Sequence, residues 1–112
     1  MTWLLVALGG ALGSSARYGL GLLLLGVAPI GTLAVNTLGC GLMGYLQARL
    51  GPEPLRVFFM TGFCGGFTTW SAFSLETLTL AQEGRLGAAA LYAGATFILA
   101  FAALGLGWYL GR

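Results

Sequence analysis

Residues 62–76, GFCGGFTTWSAFSLE, put three glycines, two adjacent threonines, two serines and a carboxylate into the middle of an apolar stretch. Glycines, β-branched threonines and serine in such density favour a non-helical break. A break frees backbone carbonyls, which can bind cations, and creates half-helix ends that can hold ions. Trp70 and Phe73 follow at once, three residues apart and so on one helical face. Aromatic rings carry a negative face and a positive edge. Ring edges aimed into a narrow path help to hold a small anion; ordinary aromatic packing is the alternative. Glu76 continues that face, where a carboxylate is awkward beside an anion path and equally suits the edge of a membrane. A phosphate-binding loop is a poor match, because no lysine follows the glycines.

Other polar groups interrupt apolar segments. Asn36 lies in PIGTLAVNTLGCGLMG with Thr32 four residues earlier on the same helical face. Its amide suits hydrogen bonding between helices, or N–H donation to an anion. Tyr92 and Thr96 form a short hydroxyl stripe that ends at Ala100, open to packing or to a pathway. Arg17 follows GGALGSSA. A central arginine costs at least about 2.5–3.5 kcal/mol in a membrane, so it either snorkels to the interface or stands as a fixed positive charge at a cavity mouth.

Acid–base enzymes of the usual hydrolytic kind fit poorly. The chain has no histidine and no aspartate, and its only carboxylate side chains are Glu53, Glu76 and Glu83. Five arginines and three glutamates give a net charge of +2 with no basic stripe, which excludes a nucleic-acid partner. Cys40 and Cys64 form no CxxC and have no histidine beside them, so they read as small packing residues rather than metal ligands. The amino-terminal segment lacks the basic start of a signal peptide. Charged residues make up 7% of the 112 and apolar types 58%. A soluble domain has roughly 25% charged residues, so this composition predicts an integral membrane protein with one compact domain over residues 1–112.

Four segments reach the length of about 20 residues that a membrane helix needs: 2–25, 30–50, 55–80 and 86–110. The turns between them, GVAPIG, RLGPEPLR and AQEGRLG, are short, so successive helices run antiparallel. Twenty glycines fall mostly inside the segments. Pairs four apart, Gly9 with Gly13, Gly62 with Gly66 and Gly107 with Gly111, suit close helix contacts. With both ends on one side, that side holds Arg49, Arg56 and Arg112; the other holds Arg85 and Arg17. Three against two sets no orientation by the positive-inside rule. A fixed but weakly biased topology and a chain that inserts both ways both fit. So small a bundle has little room for a path of its own, which favours a path between subunits.

GGALGSSARY (9–18), PIGTLAVNTLGCGLMG (29–44) and GFCGGFTTWSAFSLE (62–76) resemble, in order, the three signature regions of the CrcB/Fluc fluoride channels. The resemblance implies an all-α membrane protein with four transmembrane helices, the third broken near its middle, that assembles as an antiparallel dual-topology homodimer. It implies passive, selective export of fluoride across the inner (plasma) membrane, which limits fluoride toxicity. A structural sodium ion at the dimer centre would be held by backbone carbonyls, here those of Gly65 and Thr68. The fluoride pathway would use Asn36, Trp70, Ser71, Phe73, Tyr92 and Thr96, with Arg17, Thr32 and Glu76 in or near the vestibule. The chain departs from the family's usual TTFSTFS by TTWSAFS at 68–74, so Trp70 replaces a phenylalanine and Ala72 a threonine. Ala100 stands where some relatives carry serine.

Two other readings compete. A small proton-coupled multidrug exporter shares the length and span count but needs a titratable glutamate in the first span, and residues 2–25 contain no carboxylate. A membrane subunit without transport leaves the polar break in the third span unexplained.

Overall fold

The computed structural model describes residues 1–24 and 29–112. The end of the first expected span, Leu25, and most of the turn after it lie outside the described residues. The described residues form helices and turns, with no strand. Helix α1 spans Thr2–Leu23 and α2 spans Ile30–Arg49. A helical run then passes through α3 (Glu53–Arg56), a wider π-helical stretch (Val57–Cys64) and α4 (Gly65–Phe67). Helix α5 covers Trp70–Gln82 and α6 covers Leu86–Gly111. The observed limits sit within a few residues of the expected ones.

Local chemistry sets the ends. Pro52 precedes α3 and Pro54 lies in its first turn, where the missing N–H costs nothing. The Arg56 guanidinium donates to the Leu50 carbonyl at 2.7 Å and to the Gln47 side chain, tying the end of α2 to the start of the third helical run. Helix α5 stops in a Schellman arrangement. The Arg85 N–H donates to the Leu80 carbonyl at 2.9 Å and the Gly84 N–H to Ala81 at 3.1 Å. Gly84 takes φ +77° there, a conformation for which glycine is suited.

Glycines decide which helices pair. Helix α1 lies against residues 57–67, where a Cβ on Gly9 or Gly13 would strike the backbone of Phe58 or Phe63. A Cβ on Gly62 or Gly66 would meet the backbone of Gly9 or Gly10 in return. Helix α2 lies along α6 in the same way, with Gly44 against the Leu104 carbonyl and Gly107 against that of Gly41. Helix α5 packs on α6 through Phe73, Leu80, Ala89 and Tyr92. All three glycine pairs expected from spacing therefore lie at close helix contacts.

A Gly107→Ala substitution should lower the unfolding temperature of the detergent-solubilised protein. The added methyl meets backbone, and overpacking costs about 1–3 kcal/mol. Gly87→Ala, with nothing within 4 Å of the added carbon, should leave that temperature level or raise it. Equal behaviour of the two variants would contradict this packing.

Helix α6 is long and apolar enough to cross a membrane, and is the one such helix among the described residues. Its 26 residues extend about 39 Å, more than the roughly 30 Å of a hydrocarbon core. Helices α1 and α2 fall short on apolarity because they carry glycines with Ser14, Ser15 and Arg17, or with Asn36 and Gln47. The third run is divided. The chain exposes 6893 Å², whereas a soluble chain of 11.6 kDa exposes about 5,800 Å². Leucine, phenylalanine and tryptophan dominate the outside: Trp3, Leu23, Leu91, Ile98 and Phe101 are all exposed. Apolar groups here face outward, as a membrane protein requires.

Candidate functional site

The third helical run ends at Phe67, and Thr68 and Thr69 are extended, with ψ of 156° and 118°. Helix α5 restarts at Trp70, capped by the Thr69 hydroxyl oxygen, which accepts from the Ala72 N–H at 3.2 Å. The glycines do not form the interruption. Gly62, Gly65 and Gly66 are helical, and Gly62 and Gly66 serve the contact with α1. The expectation that glycines, threonines and serine together open the chain is corrected in its glycine and serine parts: the extended residues are the two β-branched threonines, whose stiff side chains suit extended backbone.

Asn36 replaces the lost helical bonds. Its Nδ2 donates to the Thr69 carbonyl at 3.0 Å, and its Oδ1 accepts from the Thr69 N–H at 2.7 Å. One side-chain amide thus pairs with both backbone groups of one extended residue, as a neighbouring strand would. This uses one of the two Nδ2 hydrogens and leaves the other for a ligand.

The carbonyls around the interruption divide into two sets. Cys64 accepts from the Thr68 N–H at 3.0 Å and from the Thr68 hydroxyl at 2.9 Å. Gly66 accepts from Arg17 Nε at 3.2 Å and Ser14 Oγ at 3.4 Å. Thr69 is held by Asn36. Among the described residues no hydrogen bond reaches the carbonyls of Gly65, Phe67 or Thr68.

Glu76 is bound from two sides. Thr32 donates to Oε2 at 3.0 Å and Tyr92 to Oε1 at 2.8 Å. The carboxylate thereby joins α2, α5 and α6. Thr96 donates back to the Tyr92 carbonyl of its own helix at 2.8 Å. The hydroxyl protons of Tyr92 and Thr96 are therefore both engaged inside the chain. Around them lies an aromatic cluster: Phe73 is 5.0 Å from Trp70, 5.3 Å from Tyr92 and 6.2 Å from Phe97, between ring centres. Trp70 and Phe73 touch but differ in setting, since Trp70 is 66% exposed and Phe73 only 5%.

Two open hollows meet at Thr69. One, of about 340 Å³, is bounded by Arg17, Thr32, Thr69, Ala72 and Glu76. The other, of about 270 Å³, is bounded by Asn36, Cys40, Thr68, Thr69, Trp70 and Thr96. Phe73 and Tyr92 form the buried wall beside them. Ser71 is exposed and lies 3.2 Å from the Thr69 hydroxyl, while Gly65 is exposed on the helical side of the interruption. Each residue singled out in the sequence lies at the interruption, at one of the hollows or in that wall. Ser14 and Phe97 join them unannounced, and Cys40, expected only as a packing residue, bounds the second hollow. Ser14 had a signal, since it lies three residues before Arg17 and so on its face; Phe97 had none.

The CrcB-like protein (Camphor Resistance, CrcB) family matches residues 4–108. The chain is similar to the fluoride-specific ion channel FluC of Ruegeria sp. (strain TM1040), with 52% identity over all of this chain and 95% of the relative. It is 48% identical to FluC of Paracoccus denitrificans (strain Pd 1222), over 99% of this chain and 94% of the relative. With FluC of Helicobacter acinonychis (strain Sheeba) it shares 41% over all of this chain and 96% of the relative. These three carry the name of an ion channel and not of an enzyme. The helical fold of the described residues, the polar groups gathered at one interruption and the full-length likeness to ion channels agree: the chain belongs to the CrcB family.

Proposed function

We propose that this protein is a fluoride-selective channel that lets fluoride leave the cell passively across the inner membrane. The observation that carries the reading is the interruption at Thr68–Thr69, held by Asn36 and flanked by hollows that bring Arg17 to one side and hydrogen-bond donors to the other. The name shared by the relatives supports fluoride as the ion.

Fluoride is small and strongly hydrated, so a path must supply donors in place of water. Arg17 Nη groups give the first hollow a fixed positive charge that raises the local anion concentration. Beyond it, the free Nδ2 hydrogen of Asn36, the Ser71 hydroxyl and the Trp70 N–H are the donors at the second hollow and its rim. Thr32 and Tyr92 both point their hydroxyls at Glu76. An anion that takes the place of the carboxylate meets the same two donors. Phe73, Trp70 and Phe97 offer ring edges along the wall.

The reading extends to four spans, with residues 53–82 forming a third span as a broken helix. It extends to an antiparallel homodimer that inserts both ways, with two paths at its interface. Extended Thr68 and Thr69 support the broken span, since free backbone at membrane depth is tolerated only where protein or water covers it. The excess exposed surface and the open side of the second hollow support a second copy. The division of the five arginines, three against two, supports both orientations.

The carbonyls of Gly65 and Thr68 suit a sodium ion, because a hard cation takes oxygen ligands and neither oxygen accepts a hydrogen bond from the described residues. Bound there, the ion would supply a central positive charge that neutralises the carbonyl dipoles of two facing copies. This chain's own residues hold the backbone on either side of those carbonyls, Asn36 at Thr69 and Arg17 with Ser14 at Gly66.

Protein reconstituted in liposomes should release fluoride, read by a fluoride electrode, and retain chloride. Equal release of both ions would defeat selectivity. Proton-driven drug efflux without fluoride release would favour the exporter, and no transport would favour a structural subunit.

A further inference from the structure

We propose that Arg17 and Ser14 are positioning residues for the carbonyl set of the interruption. They hold the Gly66 carbonyl toward α1 and so take it out of the carbonyls open to a cation, which leaves those of Gly65, Phe67 and Thr68, two of them the pair of the sodium reading. The inference rests on the sodium reading above and deepens it. It also gives Arg17 a second task besides charge in the hollow.

The last four carbonyls of a helix lose their intrahelical partners. In the run whose last helical bond joins the Thr68 N–H to the Cys64 carbonyl, these belong to Gly65, Gly66, Phe67 and Thr68. Left alone, they would point together toward the gap and offer a cation several overlapping choices. Cys64 stands outside the set, because its carbonyl accepts the last helical bond, from the Thr68 N–H, and the Thr68 hydroxyl as well. Gly66 is removed by two side chains more than forty residues earlier, Ser14 and Arg17. Both donors reach it because Gly66 lies against α1, where a Cβ would meet Gly10 and the Ser14 hydroxyl.

Arg17 makes the stronger contact. Its donor is a charged guanidinium and its acceptor is the negative end of a half-helix. Nε is used on Gly66, which leaves the two Nη groups for the hollow. Lysine would keep the charge and lose this geometry, since an ammonium has no planar fork to hold a carbonyl while facing a cavity.

The test titrates sodium at constant ionic strength against the purified full chain, read by unfolding temperature and tryptophan fluorescence. Trp70 begins the helix directly after Thr69 and reports on the interruption. Wild-type protein should give a saturable response. Arg17→Lys should raise the half-saturating sodium concentration about tenfold, as loss of a hydrogen bond from a charged donor implies. Ser14→Ala should raise it less, in the same direction. Fluoride flux through Arg17→Lys should recover as sodium is increased, which a defect in anion entry alone would not do. If wild type responds and both variants saturate at its concentration, the positioning role is wrong. If wild type gives no sodium response while still passing fluoride, the cation reading fails and this inference with it. Should Arg17→Lys not fold, Ser14→Ala decides alone, because it removes only a hydroxyl.

Discussion

Replacing Asn36 by alanine should reduce fluoride flux at least about tenfold while the protein still purifies in a folded state. The amide donates to the Thr69 carbonyl and accepts from the Thr69 N–H, at 3.0 and 2.7 Å. Alanine leaves both backbone groups without their partner. An unsatisfied, partly buried group costs about 1–3 kcal/mol, and each 1.4 kcal/mol is a factor of ten in a population. The chain then spends most of its time with Thr69 displaced, and Thr69 is the one residue that bounds both hollows. The helices are held elsewhere, through Gly44 and Gly107 and through Gly9 and Gly62, so the fold survives. Asn36→Asp sharpens the test. It keeps an acceptor for the Thr69 N–H, loses the donor and adds negative charge in an anion path, so flux should fall as far as with alanine or further. Flux at the wild-type rate in Asn36→Ala would remove this residue from the mechanism.

The double role of Asn36 shows what a sequence can and cannot convey here. A polar residue in an apolar helix announces that it needs a partner, and Asn36, Thr32, Arg17 and Glu76 could all be singled out on that ground. The partner itself is a matter of which helices pair. Thr32 and Asn36 share a face, yet one meets the Glu76 carboxylate and the other a backbone unit. Nothing in the spacing of α2 distinguishes these fates. They depend on α5 lying across α2 at that height. The glycines mislead for a related reason. In water glycine weakens a helix, but Gly62 and Gly66 remain helical because close contact with α1 outweighs their flexibility. The interruption falls instead where Asn36 can satisfy the extended chain. Helix limits were more legible, because the turn residues that bound each helix are local to it. Phe97 was the hardest to foresee, since it is one apolar residue among many on α6 and its place beside Phe73 and Trp70 depends on how α5 packs there.

Phe73→Ile should likewise lower fluoride flux by about tenfold or more, and the reason is chemical rather than volumetric. Phe73 is 5% exposed and makes ring contacts with Trp70, Tyr92 and Phe97. Isoleucine fills much of the same space, and apolar exchanges of similar volume usually cost less than about 1.5 kcal/mol of stability. The fold should therefore tolerate it. What isoleucine lacks is a positive ring edge, and an anion moving along this wall would meet aliphatic carbon. Phe73→Tyr separates the two effects. It keeps the ring edges, so it should retain more flux than isoleucine despite adding a hydroxyl to a packed site. Phe97→Ile adds a further comparison, since Phe97 bounds the second hollow while Phe73 stands behind it. A larger loss at Phe97 than at Phe73 would mean that fluoride travels through the second hollow itself. A larger loss at Phe73 puts the path along the wall between Trp70 and Tyr92, where the tryptophan of TTWSAFS stands directly beside it.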